Sequence, residues 1–190
     1  MNKFRKSLLS LFFFLLTAAL LYGLKHTAFP SPPVVAPQIQ STPVASSSGV
    51  LGVQTKTDGC IAQDPYPDPA CTPGAIFANA TKDDICVSGY SQTVRNVPEG
   101  EKQQIYAEYG IVSHGRGEYE VDHFISLELG GSNDSSNLWP EPAQPTPGFH
   151  EKDLVENYLH DEVCNGKISL PEAQKEIRTD WLAVYHQFSK

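Results

Sequence analysis

Residues 119–139, YEVDHFISLELGGSNDSSNLW, decide how this chain is read. Tyr119 to Leu129 mixes β-branched and aromatic residues with charges, then meets Gly130-Gly131-Ser132-Asn133-Asp134, a dense turn signal. The stretch predicts a strand, a loop and a second strand at Asn137 to Trp139. Successive side chains of a strand point to opposite faces, so Asp122 and His123 can serve different partners.

On both sides of the hairpin the pattern turns helical. Glu101 to Tyr109 has helical composition and stops at Gly110, a residue suited to a left-handed helix end. Past the Pro-rich EPAQPTPG, the spacing from His150 to Val163 predicts a helix with Leu154, Val155, Tyr158, Leu159 and Val163 on one side. Ser169-Leu170-Pro171-Glu172 is a capping box that opens a last helix, in which Ala173, Ile177, Trp181, Val184 or Tyr185, and Phe188 form the buried stripe. A mixed entry segment, a helix, a β-hairpin and two helices make an α+β domain.

One motif is far more specific than its surroundings. Asp122, His123, Leu127, Gly130, Gly131, Ser132, Asn133, Asp134, Asn137 and Leu138 stand in the register of the HNH motif, with the family's interval of 14 residues from His123 to Asn137. The domain thus resembles the HNH, or His-Me finger, endonucleases. The run from Cys71-Thr-Pro-Gly through Cys86 and Gly89-Tyr90-Ser91 to Trp181 also looks like bacterial exported HNH-like proteins. The resemblance implies a ββα-metal core with flanking helices and one divalent ion between hairpin and helix. It implies that Asp122 ligates the metal, that His123 is the general base, and that Asn137 holds the loop so that His123 points correctly. The third ligand is implied at the start of the helix, where His150-Glu151-Lys152 gives His150, with Asp153 or Asn157 as substitutes. Leu154 stands where relatives with a two-histidine helix place another ligand. The interval from Asn137 to His150 is longer than in common members, and the zinc-ribbon cysteines that often flank it are missing.

The chemistry needs such residues on its own account. Cutting a phosphodiester requires a water deprotonated near neutral pH, and histidine titrates there. A metal offsets charge on the phosphoryl and leaving oxygens, and Mg²⁺, Mn²⁺, Zn²⁺ or Ni²⁺ suits a carboxylate–imidazole site. Lys152, Arg116 and Arg95 are candidates for phosphate contact, a role that competes with that of solvated surface charges. His114 and His160 read as ordinary exposed histidines. Gly130 and Gly131 are first a turn, not a phosphate cradle, and no Walker, Rossmann or G-x-S-x-G pattern is present.

Charge is unevenly spread along the 190 residues, with 14 Lys+Arg against 22 Asp+Glu. Residues 1–55 hold Lys3, Arg5, Lys6 and Lys25 and no acid, so the first 55 carry +4 and the rest 10 − 22 = −12. That balance argues against bulk electrostatic grip on DNA. Lys3, Arg5 and Lys6 precede the uncharged run Leu8–Leu24, the layout of a signal anchor or signal peptide within residues 1–29. No small-x-small site follows the run, which favours an uncleaved anchor: a single pass through the cell membrane with the domain outside. Cleavage would instead leave the domain secreted or periplasmic. Residues 30–57 are rich in Pro, Ser and Val and read as a linker, leaving 58–190 as the folded domain.

Cys60, Cys71, Cys86 and Cys164 form an even set beyond the linker, which favours disulfides in an exported domain. Three pairings are open. Cys60 with Cys71 and Cys86 with Cys164 are expected, since the first closes a short Pro/Asp-rich loop and the second ties the domain's start to its end. A zinc–thiolate site is the alternative, though no two of these cysteines are spaced C-x-x-C. The expected function is a metal-dependent endonuclease acting on nucleic acid, DNA before RNA, outside the cytoplasmic membrane. The alternative is an HNH-like envelope binding or structural domain without catalysis, motivated by the net charge of −12.

Overall fold

The computed structural model describes residues 52–189. The apolar run at 8–24 and most of the linker lie outside the described residues, and no helix among the described residues is long and apolar enough to cross a membrane. Two short helices, α1 (Lys82–Ile85) and α2 (Tyr90–Val94), occupy the entry segment and precede α3 (Glu99–Glu108). Strands β1 (Tyr119–His123) and β2 (Leu138–Pro142) follow, then α4 (Phe149–Cys164) and α5 (Leu170–Phe188). The fold is α+β.

The two strands pair antiparallel, with Asp122 opposite Trp139, Glu120 opposite Glu141 and His123 opposite Leu138. Residues across from one another share a face, which divides the hairpin in two. Val121 and Leu138 turn towards Ile105 of α3 in a small apolar cluster. Asp122 and Glu141 turn the other way, towards α4. The main core forms where Val155, Leu159 and Val163 of α4 meet Ala173, Ile177 and Trp181 of α5, with Ile125 and Leu129 from the hairpin loop. Ser169 caps α5 by accepting from the Glu172 N–H, while the return bond from the Glu172 side chain that would complete the expected capping box is not made.

Three further expectations change. The first strand ends at His123 rather than running to Leu129, because Ser126 accepts the Glu128 N–H and starts a 3₁₀ turn over Leu127–Leu129. Leu154 is 52% exposed and not part of the helix stripe, since one turn of α4 already fills its core-facing side with Val155 and Leu159. Residues 52–56, read as the end of the linker, bond to the domain: Gly52 N–H donates to Gly74 O at 2.7 Å, and Thr55 and Lys56 both donate to Ala70 O. Lys56 also pairs with Asp68 at 3.1 Å.

The disulfides are Cys60–Cys71 and Cys86–Cys164, as expected. They belong to a protein matured in an oxidising, extracytoplasmic setting. The second joins the end of α1 to the last residue of α4 across 78 residues of chain, the first spans 11. Loop-closure entropy assigns about 4.5 kcal/mol to the long loop and about 2.8 kcal/mol to the short one. Replacing Cys86 and Cys164 by Ala is therefore expected to lower the urea unfolding free energy more than replacing Cys60 and Cys71; equal losses would show that native-state contacts, not loop length, set the effect.

Candidate functional site

The HNH-like motif folds into a loop that is tied at both ends. Asn137, wholly buried, accepts the Ile125 N–H at 2.9 Å on Oδ1 and donates through Nδ2 to Ile125 O and Ser132 O, both at 2.9 Å. Its carbonyl accepts the Phe124 N–H at 2.8 Å. One side chain thereby closes the loop immediately after His123. Gly131 makes the closure possible: a Cβ there would stand 1.7 Å from Ile125 O, so only glycine fits.

His123 lies on the α3 side and is 2% exposed. Its Nε2 is 3.1 Å from Asn133 Oδ1. The Asn133 amide is oriented by donating to Val94 O at 2.7 Å, so its oxygen faces the ring and His123 Nε2 carries the proton. Nδ1 is left with a bare lone pair and no partner. Burial lowers the imidazole to about 4, against the pull of Asp122 and Asn133 and with help from Arg95 and Lys152. It is a neutral base at neutral pH.

Arg95 also lines a pocket of about 340 Å³ on the same side, with Lys102, Tyr106, Tyr119, Glu120, Val121 and Phe149. Lys102 carries no sequence signal beyond its place on α3. Arg116 is exposed in the segment before β1 and takes no part in the contacts around His123.

The α4 side differs most from expectation. Asp122 does not meet His150. Its Oδ2 accepts from Lys152 Nζ at 2.6 Å, and Lys152 is 0% exposed. The same ammonium donates to His123 O at 3.0 Å and to Glu156 Oε1, and stands 3.5 Å from Glu141 Oε2. Ser126 Oγ donates to the other Glu156 oxygen at 2.7 Å. Lys152 is thus no phosphate-binding residue, for it is closed to solvent and enclosed by three carboxyl groups. His150 is exposed with its ring against Phe149, Asp153 is exposed, and Asn157 donates back to Asp153 O within the helix. The helical register explains the difference: the face towards Asp122 carries Lys152 and Glu156, one turn apart, rather than His150 and Leu154. The signal was present, since Lys152 leads the buried series Val155, Leu159, Val163 at helical spacing.

Protonation follows from this packing. Burial drives Glu156 up to about 7 despite the Lys152 charge and hydrogen bond. Burial also drives Glu141 well above the carboxylate range, and neither of its oxygens receives a hydrogen bond. Burial opposes ionisation of Asp122 as well, but the charge and hydrogen bond of Lys152 outweigh it and hold Asp122 below its ordinary range. Burial works against the Lys152 charge, yet the surrounding carboxyl groups raise it well above its ordinary value.

A divalent ion held by Asp122 and His150 does not fit these residues, since Asp122 Oδ2 is taken by an ammonium and His150 lies exposed against Phe149. Among the described residues, Cys86, His160 and Cys164 bring metal-ligating atoms within 4.8 Å of one another. The two cysteines are joined as a disulfide and offer no thiolate. His160 is half-buried rather than exposed, with its Nε2 3.0 Å from Ile85 O. His114 is exposed.

Compared with known proteins, the chain matches no family model, no curated protein and no solved structure.

Three outcomes follow from the site. Asn137→Ala leaves buried groups of Ile125 and Ser132 unbonded and is expected to cost roughly 3 kcal/mol, read as a lower urea midpoint. Glu156 has a folded value of about 7, above its ordinary 4.5, so its contribution is full below 4.5 and is lost as pH rises through 7. The unfolding free energy of the native protein minus that of Glu156→Gln should accordingly fall between pH 5 and pH 8. A difference that stays constant would show that Glu156 ionises normally. His123 acts in the opposite sense, because the unfolded chain binds its proton first: stability is lost as pH drops from about 6.5 through about 4.

Proposed function

We propose that residues 52–189 form a hydrolytic domain of the HNH type that cuts phosphodiester bonds of nucleic acid, DNA before RNA, outside the cytoplasmic membrane. The apolar run at 8–24 holds it there as a single-pass anchor. One observation carries the reading: His123, in the motif's register, keeps a buried Nδ1 with no partner while Asn133 orients its opposite nitrogen, so that a water admitted beside the ring meets a free base. In the reaction Nδ1 takes a proton from water as the water oxygen bonds to phosphorus. The bond from phosphorus to the departing sugar oxygen breaks, and that oxygen is protonated from solvent. Arg95 and Lys102 offset the phosphate charge from the neighbouring pocket. Asn137 is a positioning residue, acting through the loop.

The second reading, a binding module without hydrolysis, is favoured by the filled cation position at Lys152 and the near-complete burial of His123. Incubation of the oxidised protein with plasmid DNA and with RNA separates the two. Cleavage is expected, reduced by roughly 10²–10⁴-fold in His123→Ala with unchanged circular dichroism. Retention of nucleic acid without cleavage would establish the binding module. With His123 at about 4, the rate should hold level from pH 8 down to 5.5 and fall only towards 4. A rate that halves near pH 6.5 would show that the acting base is another group.

A further inference from the structure

We infer that Lys152 is the resident cation of this domain: its ammonium holds the place between hairpin and helix that the HNH resemblance gives to a divalent metal, and that place takes no metal ion. The inference stands apart from the nuclease reading, since it concerns what fills the position and not what the domain cuts.

Three observations carry it. First, the ammonium sits between Asp122 of β1, Glu141 of β2 and Glu156 of α4, the junction where the HNH resemblance implies a metal. Second, its donors are used. An ammonium has three N–H bonds, and Nζ donates to Asp122 Oδ2 at 2.6 Å, to His123 O at 3.0 Å and to Glu156 Oε1. Third, Lys152 is 0% exposed, and a metal ion taking the place of its ammonium would have to displace a side chain packed between both strands and α4.

The chemical consequence is a division of labour. An ammonium with its hydrogens engaged coordinates no water and no phosphate oxygen, so this position attaches the hairpin to α4 instead of polarising a substrate. Through the bond to His123 O it also fixes the backbone that carries the imidazole. Lys152 is a positioning residue in that sense.

The test is a Mn²⁺ titration of the full-length chain in detergent, disulfides intact and previously treated with EDTA, followed by electron paramagnetic resonance of free Mn²⁺. The wild-type protein is expected to leave the free-ion signal unchanged, and its thermal midpoint should not move with Mn²⁺, Zn²⁺ or EDTA. Lys152→Ala removes the ammonium and leaves the carboxyl groups, so this variant should take up one Mn²⁺ per chain. Its thermal midpoint should then rise by roughly 8 °C at a hundredfold excess over Kd. Uptake of one Mn²⁺ by the wild-type protein, abolished in Asp122→Asn, would overturn the inference. So would a folded Lys152→Ala that binds none, because the ammonium would then not occupy a cation position. If Lys152→Ala does not fold, the wild-type titration decides alone. A wild-type protein that binds no Mn²⁺ and cuts no nucleic acid would refute the nuclease reading and leave this inference in place.

Discussion

A single ammonium, closed off from water between β1, β2 and α4, is the interaction on which the placement of the hairpin depends. An isolated buried charge of this kind would be prohibitive, and it is tolerated because carboxyl groups meet it from every element packed there. Lys152 bonds Asp122 and Glu156 directly, with Glu141 close by. The acids compensate in turn. Lys152 holds Asp122 below its ordinary range, while burial raises Glu141 and Glu156 above theirs. Such an arrangement contributes little through net attraction, but removal of one member leaves another uncompensated, at about 3–5 kcal/mol. It specifies one docking of hairpin on helix against near alternatives.

The opposite face of the same strand is arranged by neutral groups. Asn137 closes the loop after His123, Gly131 lets the backbone come within reach, and Asn133 sets the imidazole tautomer. Strand alternation separates the two functions: residue 122 belongs to the charge cluster and residue 123 to the imidazole side, although they are neighbours in the chain. The Lys152 bond to the His123 carbonyl is the contact that crosses between them.

Much of this was legible in the sequence because local chemistry and tertiary packing agree there. The GGSND turn, the Ser169 cap, the helical stripes of α4 and α5 and the short Cys60–Cys71 loop each have a near-neighbour cause, and with that pair joined Cys86 and Cys164 remain for each other. The first strand was read too long because Phe124, Ile125, Leu127 and Leu129 are apolar for a different reason: they bury in a loop and 3₁₀ turn that Ser126 initiates. The helices at Lys82–Ile85 and Tyr90–Val94 are four and five residues long, too short for a periodicity to register. On α4 the side chain that meets Asp122 is Lys152, two residues beyond His150. Motif order along the chain points to His150, whereas the angle around the helix axis selects Lys152 and Glu156, and a charged residue in an apolar stripe is easily taken for a surface one.

The charge cluster also sets how the domain can come apart. Lifting the hairpin from α4 strands Lys152 among Glu156 and the helix core, and fraying the start of α4 strands Asp122 on the strand. Partial opening at either side is therefore costlier than the apolar contacts alone would make it, because each half-open form holds a charge without its counterpart. Hairpin and helix are bound into one cooperative unit, opening together in a single event, so that between the intact site and the unfolded chain there is little room for a partly assembled intermediate.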